Sequence, residues 1–217
     1  MTNYYPESKV EVHGFDAKHY DTLLNILTFG SYPFFIKKAI RLMEISPEDR
    51  ILDLGAGTGR NACLMYKYLS QTGEIIGVDI SEEMISQFKK RCANFPNTKI
   101  FNQRIDQPLP YSGEFDKVFI SFVLHGFPQK VREQIIDNAF NALNENGEFF
   151  ILDYSEFSLS DMPFYLRSIF KFIECPYAFD FIERDWKTIL RNHGFASFKT
   201  HDFFKGYIRL LIGRKNS

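Results

Sequence analysis

The sequence predicts an α/β fold: a seven-stranded, mostly parallel sheet with one antiparallel strand, helices on both faces and a helical cap at the amino end. Three observations predict it. The run Arg50-Ile51-Leu52-Asp53-Leu54 has the size of a buried strand, and it is followed by glycines at 55, 57 and 59 and then by helix formers. Downstream, short apolar runs alternate with helical patterns, the arrangement of a parallel sheet covered on both faces. The chain closes on Phe195 to Phe204 and Tyr207 to Gly213, two strand-like runs joined through Lys205-Gly206, which read as a hairpin.

Taken in order, residues 1–14 read as a loose arm. A helical pattern runs from Phe15 through Tyr20, Leu23, Leu24 and Leu27 to Phe29-Gly30, where glycine can end it. Pro33 suits the first turn of a second helix reaching about Glu44. After the first strand and its glycines, Asn61 to Ser70 should be helix. Glu74 to Asp79 is a β run ending in an acid, and Ser81 is placed to cap a helix reaching about Ala93. Lys99 to Gln103 and Phe115 to Phe122 are the third and fourth strands. Pro128 starts a helix to Leu143, Asn144 to Gly147 ends it, and Glu148 to Asp153 is the fifth strand. Residues 155–182 break the alternation with eight aromatic side chains and prolines at 163 and 176, an insertion expected to be helix and loop. Glu183 to His193 is helix, stopped by Gly194 before the hairpin.

A chain of 217 residues fits one domain with a sizeable core. With 45% apolar and 24% charged residues it has the balance of a soluble globular protein, and a formal charge of −1 without a basic run argues against nucleic acid as a partner. Cys63, Cys92 and Cys175 are far apart in sequence and form no Cys-x-x-Cys pair. They read as free thiols in a reducing cytosol, not as metal ligands or a disulfide framework. No apolar run reaches transmembrane length, and Met1 to Val10 lacks the apolar centre of a signal peptide. A cytoplasmic protein is expected, as monomer or homodimer, with contact at a membrane surface left open.

Strand, glycine turn and helix start together make a cradle for a nucleoside-containing cofactor, because glycine takes positive φ and has no Cβ to hold a ligand away. A dinucleotide site wants G-x-G-x-x-G, but here the third glycine comes one place early and Arg60 stands where that pattern wants glycine. The backbone of Gly55, Ala56, Gly57 and Gly59, with Asn61 behind it, is the expected contact surface. Asp53 ends the first strand, where a carboxylate either holds an ammonium group or simply accepts from loop N–H groups. Asp79 ends the second strand, at about the 20-residue spacing that lets an acid accept both ribose hydroxyls; otherwise it is a charge at a helix start. Ile80 and Met84 can pack on a base. Asp106 lies in a loop at the strand ends, suited to an adenine amino group, with backbone N–H of Ile105 or Asp106 meeting a ring nitrogen. The Ser121 carbonyl closes the fourth strand and can accept from a cofactor amino group. His125 follows, a candidate general base because imidazole titrates near neutral pH. Asp153, a second candidate base, and Tyr154, a substrate contact, end the fifth strand at the same crevice. Structural packing is the competing role for all three. No metal is expected.

With these residues in place the chain resembles the class I S-adenosylmethionine (SAM) methyltransferases, through Asp53-Leu54-Gly55-Ala56-Gly57-Thr58-Gly59. Within them it is most similar to the ubiquinone/menaquinone biosynthesis C-methyltransferases. Phe15-Asp16, Tyr20-Asp21, Asn25 and Thr28-Phe29-Gly30 carry that likeness, as do Gly77-Val78-Asp79-Ile80-Ser81 and Gly147-Glu148 with Leu152-Asp153-Tyr154-Ser155. The chain departs from that family at Leu124-His125-Gly126 and Asp153-Tyr154-Ser155, both substrate-facing. The resemblance implies a Rossmann-like class I methyltransferase fold, SAM as cofactor with S-adenosylhomocysteine as product, and a small-molecule or lipid-like acceptor. It also implies that Tyr20 closes over the cofactor's methionine end. The expected layout is a helical cap over 1–46, a cofactor-binding core over 47–154, an aromatic substrate cap over 155–182, and a helix with hairpin over 183–217. Methylation of a quinone-precursor ring carbon stands first. N- or O-methylation of an amine, phospholipid headgroup or other metabolite, a non-catalytic SAM-binding module and a nicotinamide-dependent oxidoreductase are the alternatives.

Overall fold

The computed structural model describes Tyr5, Ser8 and residues 32–216. The helix expected over Phe15 to Phe29, and Tyr20 within it, lie outside the described residues. The first described helix, α1 (Tyr32–Arg41), carries Pro33 in its first turn and packs Phe35, Ile36, Ala39 and Ile40 inward at helical spacing.

Strands β1 (Arg50–Leu54), β2 (Glu74–Asp79), β3 (Thr98–Asn102), β4 (Phe115–Ser121), β5 (Leu143–Tyr154), β6 (Phe195–Phe203) and β7 (Ile208–Lys215) form one sheet in the order β3-β2-β1-β4-β5-β7-β6. The first five are parallel, and β7 runs antiparallel to both β5 and β6, so β7 is the one reversed strand expected. Because a strand shows alternate residues to opposite faces, each central strand feeds two cores. Ile51, Ile75, Phe119 and Phe150 meet α1 on one face, while Leu52, Ile76, Val118, Phe149 and Ile151 join the core on the other.

Helices α2 (Arg60–Met65) and α3 (Glu82–Arg91) lie on the α1 face, where Ala62, Met65 and Phe88 are buried. Ser81 caps α3 by accepting the Met84 N–H at 3.3 Å. Acids Glu82 and Glu83 open that helix, and Lys89, Lys90 and Arg91 close it, as the helix dipole favours. α2 is shorter than its sequence suggests: it tightens into a 3₁₀ turn over Tyr66–Tyr68, and Tyr66 stacks on Phe95 at 4.3 Å. Across the sheet, α4 (Gln129–Ala142) starts after Pro128 and buries Ile135, Ile136 and Ala139. β5 begins at Leu143, earlier than expected, because Leu143 already pairs with Phe115.

The insertion forms two helices, α5 (Phe164–Ile173) and α6 (Pro176–Ile182), where one helix and a loop were expected. α7 (Trp186–Asn192) starts three residues late because Asp185 takes the cap, accepting the Thr188 N–H at 3.0 Å. β1 is flanked by β2 on one side and β4 on the other, so the chain reverses its direction of winding between them. In open α/β sheets that switch point, at the strand C-termini, opens the ligand crevice. Leu54, Asp79, Ser121 and Tyr154 all end strands at that edge.

Candidate active site

The loop after β1 is shaped by its glycines. Gly55, Gly57 and Gly59 have φ of 72°, 54° and 77°, the left-handed region that side chains resist. A Cβ on Gly55 would stand 2.8 Å from Cγ2 of Val123, so the loops after β1 and β4 touch only because residue 55 lacks a side chain. At Gly57 a Cβ would meet nothing within 4 Å, which leaves open space above that peptide. Ala56 is different: its methyl is buried against the Gly77 backbone and belongs to the core.

Asp79 holds this loop. Its Oδ2 accepts the Gly57 N–H at 2.8 Å and its Oδ1 accepts the Ser81 N–H at 2.9 Å. Burial raises its pKa, and the N–H groups of Ser81, Gly57 and Ile80 work against that rise. A carboxylate offers about four lone-pair sites, so these bonds leave capacity for further donors. Ile80 is half-buried beside it, whereas Met84 is in the core.

Asp53 behaves otherwise. Its side chain is buried, and neither oxygen has a hydrogen-bond partner. The alternative in which it accepts from loop N–H groups is therefore not what the structure contains. Burial, and after it the charge of Asp79, pushes its pKa up to about 7. Asn61 Oδ1 at the start of α2 and Ser121 Oγ at the end of β4 are also buried without partners. Buried polar atoms ordinarily find partners, so orphans on three elements around one glycine loop mark a place built for a polar ligand. A sulfonium nucleoside with an ammonium group fits this donor set: open backbone at Gly57, an orphaned carboxylate at Asp53 and a second carboxylate at the end of β2.

The loop after β3 corrects one expectation. The Asp106 carboxylate is not open to an adenine amino group: Arg104 Nε and Nη2 donate to it at 3.0 and 2.5 Å, and the Tyr5 hydroxyl at 2.7 Å. Burial opposes its ionisation, but Arg104 and Tyr5 outweigh burial and hold its pKa below the usual range. Asn138 on α4 pins the same loop by donating to the Ile105 and Gln107 carbonyls at 2.8 and 2.7 Å.

Beyond Ser121 the chain turns through Phe122, a non-glycine at φ 54°, into a 3₁₀ turn over Leu124–Gly126. His125 is buried there between two carboxylates. Its Nδ1 lies 2.8 Å from Oδ1 of Asp153 and its Nε2 lies 3.5 Å from Oε2 of Glu174. Burial disfavours the charged ring, yet Asp153 and then Glu174 overcome it and raise the His125 pKa. Each ring nitrogen of His125 therefore faces an acid. The Tyr154 hydroxyl donates to Oε1 of Glu174 at 2.6 Å, completing a linked set of four side chains.

Arg132 supports this turn from below, fully buried on α4. It donates to the carbonyls of Leu124, His125 and Tyr177 at 3.2, 3.0 and 2.6 Å and to Asp180 Oδ2 at 2.6 Å. The aromatic insertion packs on the same turn, with Phe170 5.1 Å from the Tyr154 ring and 5.5 Å from Phe179.

A family model described as Methyltransferase domain matches residues 45–194, more than half of the chain. The chain belongs to that family. A demethylmenaquinone methyltransferase of Porphyromonas gingivalis is 32% identical over 142 residues, 64% of this chain and 57% of that protein. A ubiquinone/menaquinone biosynthesis C-methyltransferase of Wigglesworthia glossinidia brevipalpis is 27% identical over 140 residues, 63% of this chain and 55% of that one. The chain thus spans a little over half the length of these curated relatives. A SAM-dependent methyltransferase of Aquifex aeolicus superposes with a TM-score of 0.63 at 15% identity, covering 82% of this chain and 88% of that one. The carbon-methyltransferase domain of citrinin polyketide synthase gives 0.66 at 21%, covering 84% and 52%. At these identities the likeness is one of fold, and the fold is that of the class I methyltransferases.

Two residues of this methyltransferase domain escape a reading by motif. Arg132 had a signal, since it shares the spacing of buried Ile135, Ile136 and Ala139 on α4. Glu174 had none, because only the folding of the insertion over β5 brings it to His125 and Tyr154.

Proposed function

We propose that this chain is a SAM-dependent methyltransferase acting on a small or lipid-like acceptor, with a hydroxylated quinone-precursor ring carbon as the methyl acceptor. The observation that carries the cofactor reading is the buried, unpartnered carboxylate of Asp53 beneath the glycine loop. When bound, the cofactor supplies a methyl group made electrophilic by its sulfonium. Asp53 would receive the ammonium group, directly or through the loop and water. The open peptide at Gly57 would let the nucleoside approach, and Asp79, already bonded to that peptide, would accept the ribose hydroxyls. Arg104 and Tyr5 occupy the Asp106 carboxylate, and the backbone at Ile105 would meet the base instead. Ile80 would cover its face, and the Ser121 carbonyl remains a candidate for the amino group.

The acceptor reading rests on relatives whose names specify demethylmenaquinone and quinone C-methylation, and on the set His125–Asp153–Glu174–Tyr154. For a phenolic ring carbon to act as nucleophile, its hydroxyl proton must be drawn away. Asp153, 2.8 Å from the His125 ring, would take that proton, and His125 would hold the carboxylate in place. The aromatic insertion would exclude water and favour an apolar ring. No helix among the described residues is long and apolar enough to cross a membrane; a cytoplasmic location belongs to this same reading.

The test is a pair of measurements. Calorimetry should find binding of S-adenosylhomocysteine and none of NAD. Transfer of labelled methyl from SAM should be faster to a demethylated naphthoquinol than to an amine or phospholipid headgroup. Methylation of the amine alone would overturn the ring-carbon assignment, and no transfer to any acceptor would favour a binding module.

A further inference from the structure

We propose that Cys63 and Cys92 form a thiol–disulfide switch behind the cofactor loop, oxidised by a small anionic disulfide of the glutathione disulfide type. The two cysteines are distant in sequence, but α2 and α3 bring their Sγ atoms to 3.3 Å. A disulfide needs about 2.05 Å, so one short movement separates the pair from a covalent link.

The two thiols differ in the way a reacting pair must. Cys63 is half-exposed and Cys92 is buried. The hydrogen bond from Cys92, and after it the nearby charges of Arg91 and Lys67, hold the Cys63 thiol below its ordinary pKa against the effect of burial. The same bond and burial push Cys92 up. The thiolate is the nucleophile in exchange, so Cys63 attacks first and Cys92 resolves. A cavity of about 250 Å³ opens at Cys63, walled mainly by apolar surface from Pro33, Ile36, Leu64 and Phe95, with the exposed Lys37 and Lys67 also on its lining. The exposed Lys37 and Lys67 beside this thiol favour a co-reactant bearing carboxylates.

The chemistry balances without any further oxidant. The Cys63 thiolate attacks one sulfur of the external disulfide, whose S–S bond breaks and whose departing thiolate takes a proton from solvent. Cys92 then gives its proton to solvent and attacks Sγ of Cys63, and the second external thiol leaves. Two protein thiols are oxidised as one external disulfide is reduced to two thiols.

The consequence falls on the glycine loop. Cys92 Sγ lies 3.8 Å from the Gly59 carbonyl oxygen and 3.1 Å from where a Cβ on Gly59 would stand. Oxidation draws the middle of α2 and the C-terminal end of α3 together in a packed interior that transmits small shifts. α2 begins at Gly59 and α3 begins beside Asp79, so the movement reaches both sides of the cradle. This coupling rests on the cofactor reading above, whereas the cross-link does not.

The experiment treats the purified chain with glutathione disulfide and reads intact mass, digest mass and S-adenosylhomocysteine affinity by calorimetry. The expected product has lost two hydrogens, links the peptides of Cys63 and Cys92, and binds S-adenosylhomocysteine several-fold more weakly until dithiothreitol restores it. Cys92→Ser should trap a glutathione adduct on Cys63, and Cys63→Ser should take up none at residue 92. Absence of the cross-link, or preferential reaction at Cys175, overturns the switch. A cross-link that leaves affinity unchanged overturns the coupling. Reduced protein that ignores S-adenosylhomocysteine overturns the cofactor reading and the coupling with it, while the mass readout still decides the cross-link.

Discussion

Oδ2 of Asp79 accepts the backbone N–H of Gly57 at 2.8 Å, so the end of the second strand and the loop after the first are one mechanical unit. The acid that would hold the ribose also sets the loop that would cradle the rest of the nucleoside. Losing it therefore removes a ligand contact and a loop restraint together.

Asp79→Ala should weaken S-adenosylhomocysteine binding by at least about a hundredfold, or about 2.7 kcal/mol, and lower stability by about 1–3 kcal/mol through the unpaired Gly57 and Ser81 N–H groups. Calorimetry and denaturant unfolding read the two effects separately. An affinity equal to wild type would remove Asp79 from the site.

Asp53→Asn should bind the cofactor product at least about tenfold more weakly and yet be more stable near pH 8. The folded pKa of Asp53, about 7, lies above its ordinary value of 3.8. The folded chain thus holds this proton longer than the unfolded chain, and stability falls as pH rises from about 4 through 7. The full cost above that window is of order 4 kcal/mol. The amide is also poorly satisfied there, so the net gain near pH 8 should be about 1–3 kcal/mol. A melting temperature at that pH lower than wild type would mean that the carboxylate has a partner.

Gly57→Ala and Gly59→Ala should fail in different ways. At Gly57 the added methyl has space, so the loss of stability should be only about 1–2 kcal/mol for the left-handed backbone, while cofactor affinity drops. At Gly59 the methyl would press on Phe88 at 2.8 Å, and the added strain should bring the loss to about 2–4 kcal/mol. Parallel unfolding and binding curves distinguish the two; equal stability losses would contradict the open space at Gly57.

Glu174→Gln should lower the pKa of His125 and move the turnover profile to lower pH. In wild type the raised folded pKa means that this ion pair adds stability below about pH 6.5, a contribution lost as pH rises through the folded value. The variant should lose about 1.5–3 kcal/mol on the acid side and little on the alkaline side. Imidazole titration by NMR, with melts at both ends, decides it; an unmoved His125 pKa would exclude Glu174 as its partner.

Much of this was legible in the sequence because it is local. A strand, three alternating glycines and a helix start are contiguous, and Asp79 follows at the spacing one βα unit imposes. The hairpin at Lys205-Gly206 was equally readable, with Lys205 at φ 59° where the turn demands it. Side-chain pairing was not legible, above all where a partner came from far along the chain. Asp106 read as an open loop acid, but its neighbour Arg104 and distant Tyr5 take its oxygens. His125 read as a candidate base with packing as its competing role, and no sign in the sequence showed that Asp153 and Glu174 would flank both its nitrogens. Cysteines that looked unrelated stand in contact.

Periodicity and contiguous motifs determined the sheet, its reversed strand and the glycine cradle, because hydrogen-bonding period and backbone φ are properties of short stretches. Protonation and pairing were decided only by the tertiary structure. A carboxylate's charge depends on which distant groups exclude water from it or donate to it, and no local pattern encodes that company.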